Sequence, residues 1–242
     1  MTPLAPNARL RFDAIQQILA DIDTAESFLE IGCGQGAAAT VLARHFDYVG
    51  YEPDTTSFEI ARRRLAEVGA GYVVNELLSA TPYRLFDVVG AFEVLEHIED
   101  DRSALAEWLR WLRPGGSALV SVPAHPERFG PGDYKAGHFR RYTGQSITEL
   151  MASAGLVEIR VIAYGFPLGY ALEWVRNRLA SGHEKESVRI EERTAASGRW
   201  LQPTSSVAPL VWAGTLPFVW LQRHFAHGDL GTGLVACGSL PT

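Results

Sequence analysis

The chain has 242 residues, 47% of them hydrophobic and 21% charged, and a formal net charge of −6. This suits a globular protein with one core and room for an elaboration, and the acidic balance argues against the concentrated basic face of a nucleic-acid binder. Two cysteines, Cys33 and Cys237, form neither a disulfide framework nor a zinc spacing; with no signal-peptide pattern in Met1–Asn7 and no uncharged run of membrane-spanning length, the expected setting is the cytoplasm.

Arg9–Ala20 places Leu10, Phe12, Ile15, Ile18 and Leu19 at helical spacing, so residues 1–26 carry an amphipathic helix that either packs on a sheet edge or acts as a flap. Ser27–Ile31 is short and apolar, as parallel strands covered on both faces are. It runs into Gly32-Cys33-Gly34-Gln35-Gly36, and a helix is predicted over Ala37–His45. A strand at Tyr48–Tyr51 leads to Glu52-Pro53-Asp54, a helix follows at Thr56–Val68, and Gly71–Asn75 is a third strand with Glu76 at its end. Phe86–Phe92 is a fourth strand. Asp101–Leu112 reads as a helix capped near Asp100 or Asp101 and stopped by Arg113-Pro114-Gly115-Gly116, and Ser117–Val122 as a fifth strand. Strands alternating with helices at this pace predict a parallel sheet.

Pro123–Thr143 has no clear period, and a loop of that length tends to be functional. A helix returns over Gln145–Ala154 and a sixth strand over Leu156–Ala163. Leu168–Leu179 is predicted helical, Ser181–Ser206 a polar excursion, and Pro209–Phe225 an apolar, aromatic stretch that Pro209 and Pro217 should interrupt. Leu234–Ser239 reads as the last strand, leaving 165–230 as an insertion before it.

A glycine turn after a parallel strand brings a nucleotide-like cofactor close to bare backbone. Gly32, Gly34 and Ala37 also satisfy a dinucleotide-binding pattern, and Glu52 suits a ribose diol in either case. Glu30, two residues before the first glycine, separates the alternatives, because its carboxylate would oppose a pyrophosphate. Together with Glu52 and Glu76 it favours a cationic nucleoside, S-adenosylmethionine.

Leu29-Glu30-Ile31-Gly32-Cys33-Gly34-Gln35-Gly36 resembles the first motif of the class I S-adenosylmethionine-dependent methyltransferases. Glu52 matches their second-strand acid, Phe86–Val89 with Glu93-Val94-Leu95-Glu96-His97-Ile98 resembles their fourth-strand block, and Leu112–Gly116 the turn before strand five. The nearest subset resembles the small-molecule methyltransferases that include the quinone-biosynthesis enzymes, and His138–Thr143 resembles a segment common in bacterial members after strand five. The resemblance implies a doubly wound Rossmann-like α/β sheet of seven strands, order 3-2-1-4-5-7-6 with strand 7 antiparallel. It implies a cofactor site drawn from Glu30, Gly32, Cys33, Gly34, Gln35, Gly36, Glu52, Pro53, Glu76, Leu77, Phe92 and Glu93.

Methyl transfer from a sulfonium chiefly needs alignment and exclusion of water, with a base only for an acceptor that must lose a proton. His97, His138 and Tyr142, beyond the ends of strands 4 and 5, are the catalytic candidates; His125, Asp133 and Tyr134 are secondary ones. A metal held by His125, Asp133 and His138 matches no ligand pattern, and none is expected. Trp212, Phe218, Trp220 and Phe225 would roof a pocket for a small, apolar or lipid- or sugar-linked acceptor, form a homodimer contact, or touch a membrane surface. The alternatives are a cofactor-binding protein without turnover and a nicotinamide-dependent oxidoreductase.

Overall fold

The structure, a computed structural model, describes residues 4–22, 24–76, 84–180 and 208–242. Strand β1 (Ser27–Ile31) is buried at every position, as the centre of a doubly covered sheet requires. It pairs in parallel with β2 (Asp47–Tyr51) and β4 (Phe86–Phe92), setting Leu29 opposite both Val49 and Val89. β3 (Tyr72–Val74) extends the sheet beyond β2, and β5 (Leu112–Pro123) extends it beyond β4. β7 (Gly233–Ser239) enters antiparallel between β5 and β6 (Val157–Tyr164), completing the order β3-β2-β1-β4-β5-β7-β6. Order and reversed strand are those the family resemblance implied.

Adjacent residues of a strand face opposite layers. Leu29, Val89, Val120 and Ala236 join one core layer, closed by Leu105 and Trp108 of α4 (Asp101–Leu109) and Ile147 and Met151 of α6 (Gly144–Ser153). Phe28, Val88, Leu119 and Val235 join the other, closed by α1 (Pro6–Leu19), α2 (Ala39–Leu42) and α3 (Thr55–Val68). Three helices start on the capping residues their sequences offer: Asp54 accepts from Ser57 N at 2.8 Å, Asp100 from Ser103 N at 3.1 Å and Thr143 from Ser146 N at 3.0 Å.

The departures have local causes. The helix expected at Ala37–His45 is regular only over α2, because Val41, Arg44 and His45 donate three residues back and tighten both ends. β5 starts at Leu112 rather than Ser117, and a register shift against β4 between Phe86 and Val88 absorbs the Pro-Gly-Gly turn. Inside 123–143, Pro131 opens a short helix, α5 (Pro131–Ala136).

α7 (Leu168–Ala180) and α8 (Ala208–Arg223) lie in the chain between β6 and β7, where the insertion was expected. Contrary to expectation, α8 runs through its prolines. Pro209 sits in the first turn, where the missing N–H would have no partner anyway, and Pro217 deprives only the carbonyl of Ala213, on the exposed side. α1 packs on α8, β6 and β7 and buries Leu10 and Ile15, so its main work is packing. Leu77 and the polar stretch 181–206 lie outside the described residues. Among those described, no helix is long and apolar enough to cross a membrane.

Gly36 has φ +74°, and a Cβ there would sit 3.1 Å from the Ala61 backbone, whereas Gly69, at φ +71°, faces open space. Gly36→Ala should therefore cost roughly 2–5 kcal/mol of unfolding free energy and Gly69→Ala about 1–2. Urea denaturation of both variants measures this, and equal losses would refute the close approach at Ala61.

Candidate active site

β1 ends in a turn whose glycines, Gly32, Gly34 and Gly36, have φ of +68°, +55° and +74°. All three lie in the left-handed region, but their surroundings differ. A Cβ on Gly32 would come within 2.7 Å of Val94, just past β4, and one on Gly36 would press on α3. One on Gly34 would meet no atom within 4 Å, so only this glycine leaves its backbone open to an approaching molecule. Glu52, at the end of β2, accepts from Gly34 N at 2.7 Å and from Asp54 N at 3.0 Å. Burial raises its pKa, and the two bonds oppose the rise.

The rest of the expected cofactor set is mixed in its placement. Cys33 is buried with its thiol pushed well up by desolvation, an inert small residue as the sequence reading favoured. Gln35 offers its carbonyl to Arg64 at 2.8 Å. Pro53 is exposed between Glu52 and the α3 cap, and Glu76 is exposed beyond β3. Phe92 points its ring into the α1-side core, 6.3 Å from that of Phe28.

Glu30 departs from its expected part. Tyr48 donates to it at 2.6 Å, and burial lifts its pKa to about 7 against the pull of that bond and of Arg11. It is a core carboxyl close to half protonated at neutral pH, and its negative charge is weaker than the sequence reading assumed.

The chemistry concentrates just past β4. Glu93 has φ +57°, a conformation worth about 1–3 kcal/mol of strain in a non-glycine residue. Its backbone N bonds to the Ser121 carbonyl, and its carboxylate accepts from Ser121 Oγ at 3.3 Å and Tyr164 Oη at 3.0 Å. Arg11 of α1 stands 3.7 Å away, so the packing helix also delivers a cation to the site. Glu96, on the short turn that follows, is completely buried, and neither carboxyl oxygen has a hydrogen-bond partner. Burial, then the neighbouring Glu93, pushes its pKa well up, toward the protonated form.

His97 is pushed down to about 3 by burial and by His138, whose ring meets it edge-on at 4.6 Å. His138 bonds through Nδ1 to Asp133 at 2.9 Å and places Nε2 4.0 Å from Glu96. A carboxylate can only accept, so Asp133 fixes the proton on Nδ1. Burial alone would raise the Asp133 carboxyl, but the bonds from His138 and from Arg141, at 3.0 and 2.6 Å, hold it far below the usual range. Arg141 in turn reaches Glu173 of α7 at 2.6 Å, and Glu173 holds Arg128 at 2.6 Å. The insertion thus abuts the site.

Of the catalytic candidates, His97 and His138 come together. Tyr142 does not join them. It is buried, its hydroxyl donates to Asp101 at 2.8 Å, and burial with that bond pushes the phenol far up, which gives it a structural place. His125 pairs with Glu127 instead of meeting Asp133 and His138, and Tyr134 is exposed against Phe129. A different trio, Glu96, His97 and His138, brings donor atoms within 4.8 Å of one another, a cation-sized cluster. Sequence reasoning missed Arg11, Ser121, Tyr164 and Glu173. Arg11, a charge between the buried Leu10 and Phe12, was the one visible signal.

A strand-order reversal beside β1, a left-handed glycine turn and an acid at the end of β2 define a nucleoside-binding Rossmann-like domain. The family model described as "Methyltransferase domain" matches residues 6–161, and the chain belongs to that family, the class I S-adenosylmethionine-dependent methyltransferases. It is 32% identical to a "probable S-adenosylmethionine-dependent methyltransferase" of Mycolicibacterium smegmatis, over 60% of this chain and 57% of that one. It is 30% identical to a ubiquinone biosynthesis O-methyltransferase of Alkalilimnicola ehrlichii, over 50% of each. The chain therefore spans little more than half the length of these curated relatives. In fold it is similar to the N-methyltransferase NodS of Bradyrhizobium japonicum, solved with S-adenosylhomocysteine (TM-score 0.60, 15% identity, covering 98% of this chain and 89% of that one). It is also similar to a Thermotoga maritima protein described as an S-adenosylmethionine-dependent methyltransferase (TM-score 0.59, 18% identity, 96% and 89%).

Glu30 binds a proton in the folded state up to about pH 7 that an unfolded chain releases near 4.5. Its raised pKa therefore contributes stability that is fully present below pH 4.5 and is lost as pH rises through 7. Relative to Glu30→Gln, the wild-type unfolding free energy should fall by roughly 3 kcal/mol between pH 4.5 and 7.5. Chemical denaturation at stepped pH measures the difference, and parallel profiles would contradict this placement of Glu30.

Proposed function

We propose that this domain methylates a hydroxyl of a small molecule with an apolar body, a class that includes lipid- and sugar-linked intermediates, and that His138 takes the hydroxyl proton. The observation that carries this reading is the unpaired Glu96 carboxyl facing the Asp133–His138 pair. A buried polar group without a partner costs about 1–3 kcal/mol, and such groups persist where a guest completes them. The 4.0 Å between Glu96 and His138 Nε2 is too long for a hydrogen bond. A hydroxyl lodged there can donate to Nε2 and accept from the protonated Glu96.

The residues around the glycine turn fit S-adenosylmethionine. Gly34 offers open backbone and Glu52 stands where a ribose diol would be held. When bound, the cofactor supplies a methyl group on a sulfonium, a leaving group that needs no acid. The protein's own work is then alignment and proton removal. With the cofactor bound, His138 Nε2 would take the proton of the acceptor hydroxyl as its oxygen receives the methyl group and the neutral thioether leaves. The Asp133 carboxylate, anchored by Arg141, stabilises the imidazolium that forms. Arg141 and Glu173 keep this pair in place from the insertion side, consistent with α7 bordering the acceptor.

Calorimetry with S-adenosylmethionine, S-adenosylhomocysteine and NAD is the first test; binding of NAD alone would overturn the reading. Glu52→Ala should weaken S-adenosylmethionine binding roughly tenfold or more. With methyl-labelled cofactor and a panel of phenols, quinols and alcohols, His138→Ala should lower kcat about a hundredfold or more while leaving cofactor affinity unchanged. Unaltered turnover in His138→Ala would remove the base assignment, and tight cofactor binding with no transfer to any of the panel would favour the protein without turnover.

A further inference from the structure

α8 presents a surface that the methyl-transfer reading does not use. From Ala208 to Gln222 it carries no charged residue, and only one side of it is packed. On that side Thr215 and Gln222 are buried, Gln222 donates to the Leu10 carbonyl and Asp13 at 3.0 Å each, and Phe218 and Val219 pack on the α1-side core. On the other side Trp212, Leu216 and Trp220 recur every fourth residue and stay exposed, Trp220 at 65%, with Ala213 and Pro217 between them. α7 adds exposed Trp174, Val175 and Leu179. A helix apolar on all sides needs a second cover, and among the described residues none is present.

The charges around this face say what the cover is. Arg9 lies over the Trp212 ring at 4.6 Å, Arg178 over the Trp174 ring at 4.6 Å, and Arg223 and His224 follow Trp220. Across α7, α8 and the residues on to Gly228, the single acid is Glu173, which is buried and held by Arg128 and Arg141. Among the described residues, the cations lying on the tryptophans of this face are Arg9 and Arg178, while Arg223 is paired with Asp13 of α1. A two-fold contact with a second copy would set the Arg9 and Arg178 side chains against their own counterparts. Tryptophans with arginines beside them, on a helix too short to span, fit the headgroup boundary of an anionic bilayer.

We propose that the outer faces of α7 and α8 seat this protein on the surface of an anionic lipid bilayer. The proposal does not rest on the identity of the methyl acceptor.

Co-sedimentation of the full chain with phosphatidylcholine vesicles, with and without phosphatidylglycerol, tests it. Binding is expected only to the anionic vesicles. It should weaken about tenfold in the Trp212→Ser/Trp220→Ser variant and fall with added salt, as surface electrostatics require. Both tryptophans are exposed, and unchanged thermal unfolding and unchanged S-adenosylmethionine affinity check that the variant is folded. Absence of binding to either vesicle, equal binding by the variant, or a dimer by light scattering that the double substitution dissolves would each overturn the proposal.

Discussion

The site rests on a close approach between two strand ends. Gly32 in its left-handed conformation lies against Val94, so the turn after β1 and the block after β4 are packed directly on each other. A side chain at Gly32 would have to displace Val94, and with it Glu93, Glu96 and His97. The turn where a nucleoside can approach is therefore packed directly against the segment that carries Glu93, Glu96 and His97. Gly34, two residues on, is the position left open, and Glu52 bonds to its N–H.

Around that contact the protein keeps an unusual density of ionisable groups in a dry setting. Their protonation follows from partners more than from residue type. Asp133 remains a carboxylate because His138 and Arg141 bond to it, whereas burial without a hydrogen-bond partner pushes Glu96 toward its protonated form. Glu30 lies between these extremes, desolvated but hydrogen-bonded by Tyr48. His97, flanked by a second histidine and buried, is neutral far below physiological pH. Neutral and charged groups are thus set side by side, the condition in which a single proton can change hands at little cost.

The same network ties the sheet to its insertion. Arg141 follows the segment after β5 yet reaches Glu173 on α7, and Arg11 reaches Glu93 from the first helix. Two elements that look peripheral in sequence each contribute to the centre. α8 is different, since its inner face serves α1 and its outer face serves nothing within the described chain.

The sequence by itself determined the sheet, because apolar strands, capping aspartates and glycine turns are local signals that act within a few residues. The strands and the glycine turn were legible in this way, whereas strand order and the antiparallel last strand followed from the resemblance of the motifs to the methyltransferase family. The sequence could not say that Tyr142 would turn to Asp101, that Glu30 would accept a hydrogen bond from Tyr48, or that Glu96 would be left without a partner. Those outcomes depend on groups tens of residues apart meeting at a few ångströms, where burial and one hydrogen bond decide a charge. The proline-bearing helix α8 makes the same point for the backbone. Its local signal was to break, and packing of one face on α1 carried it through.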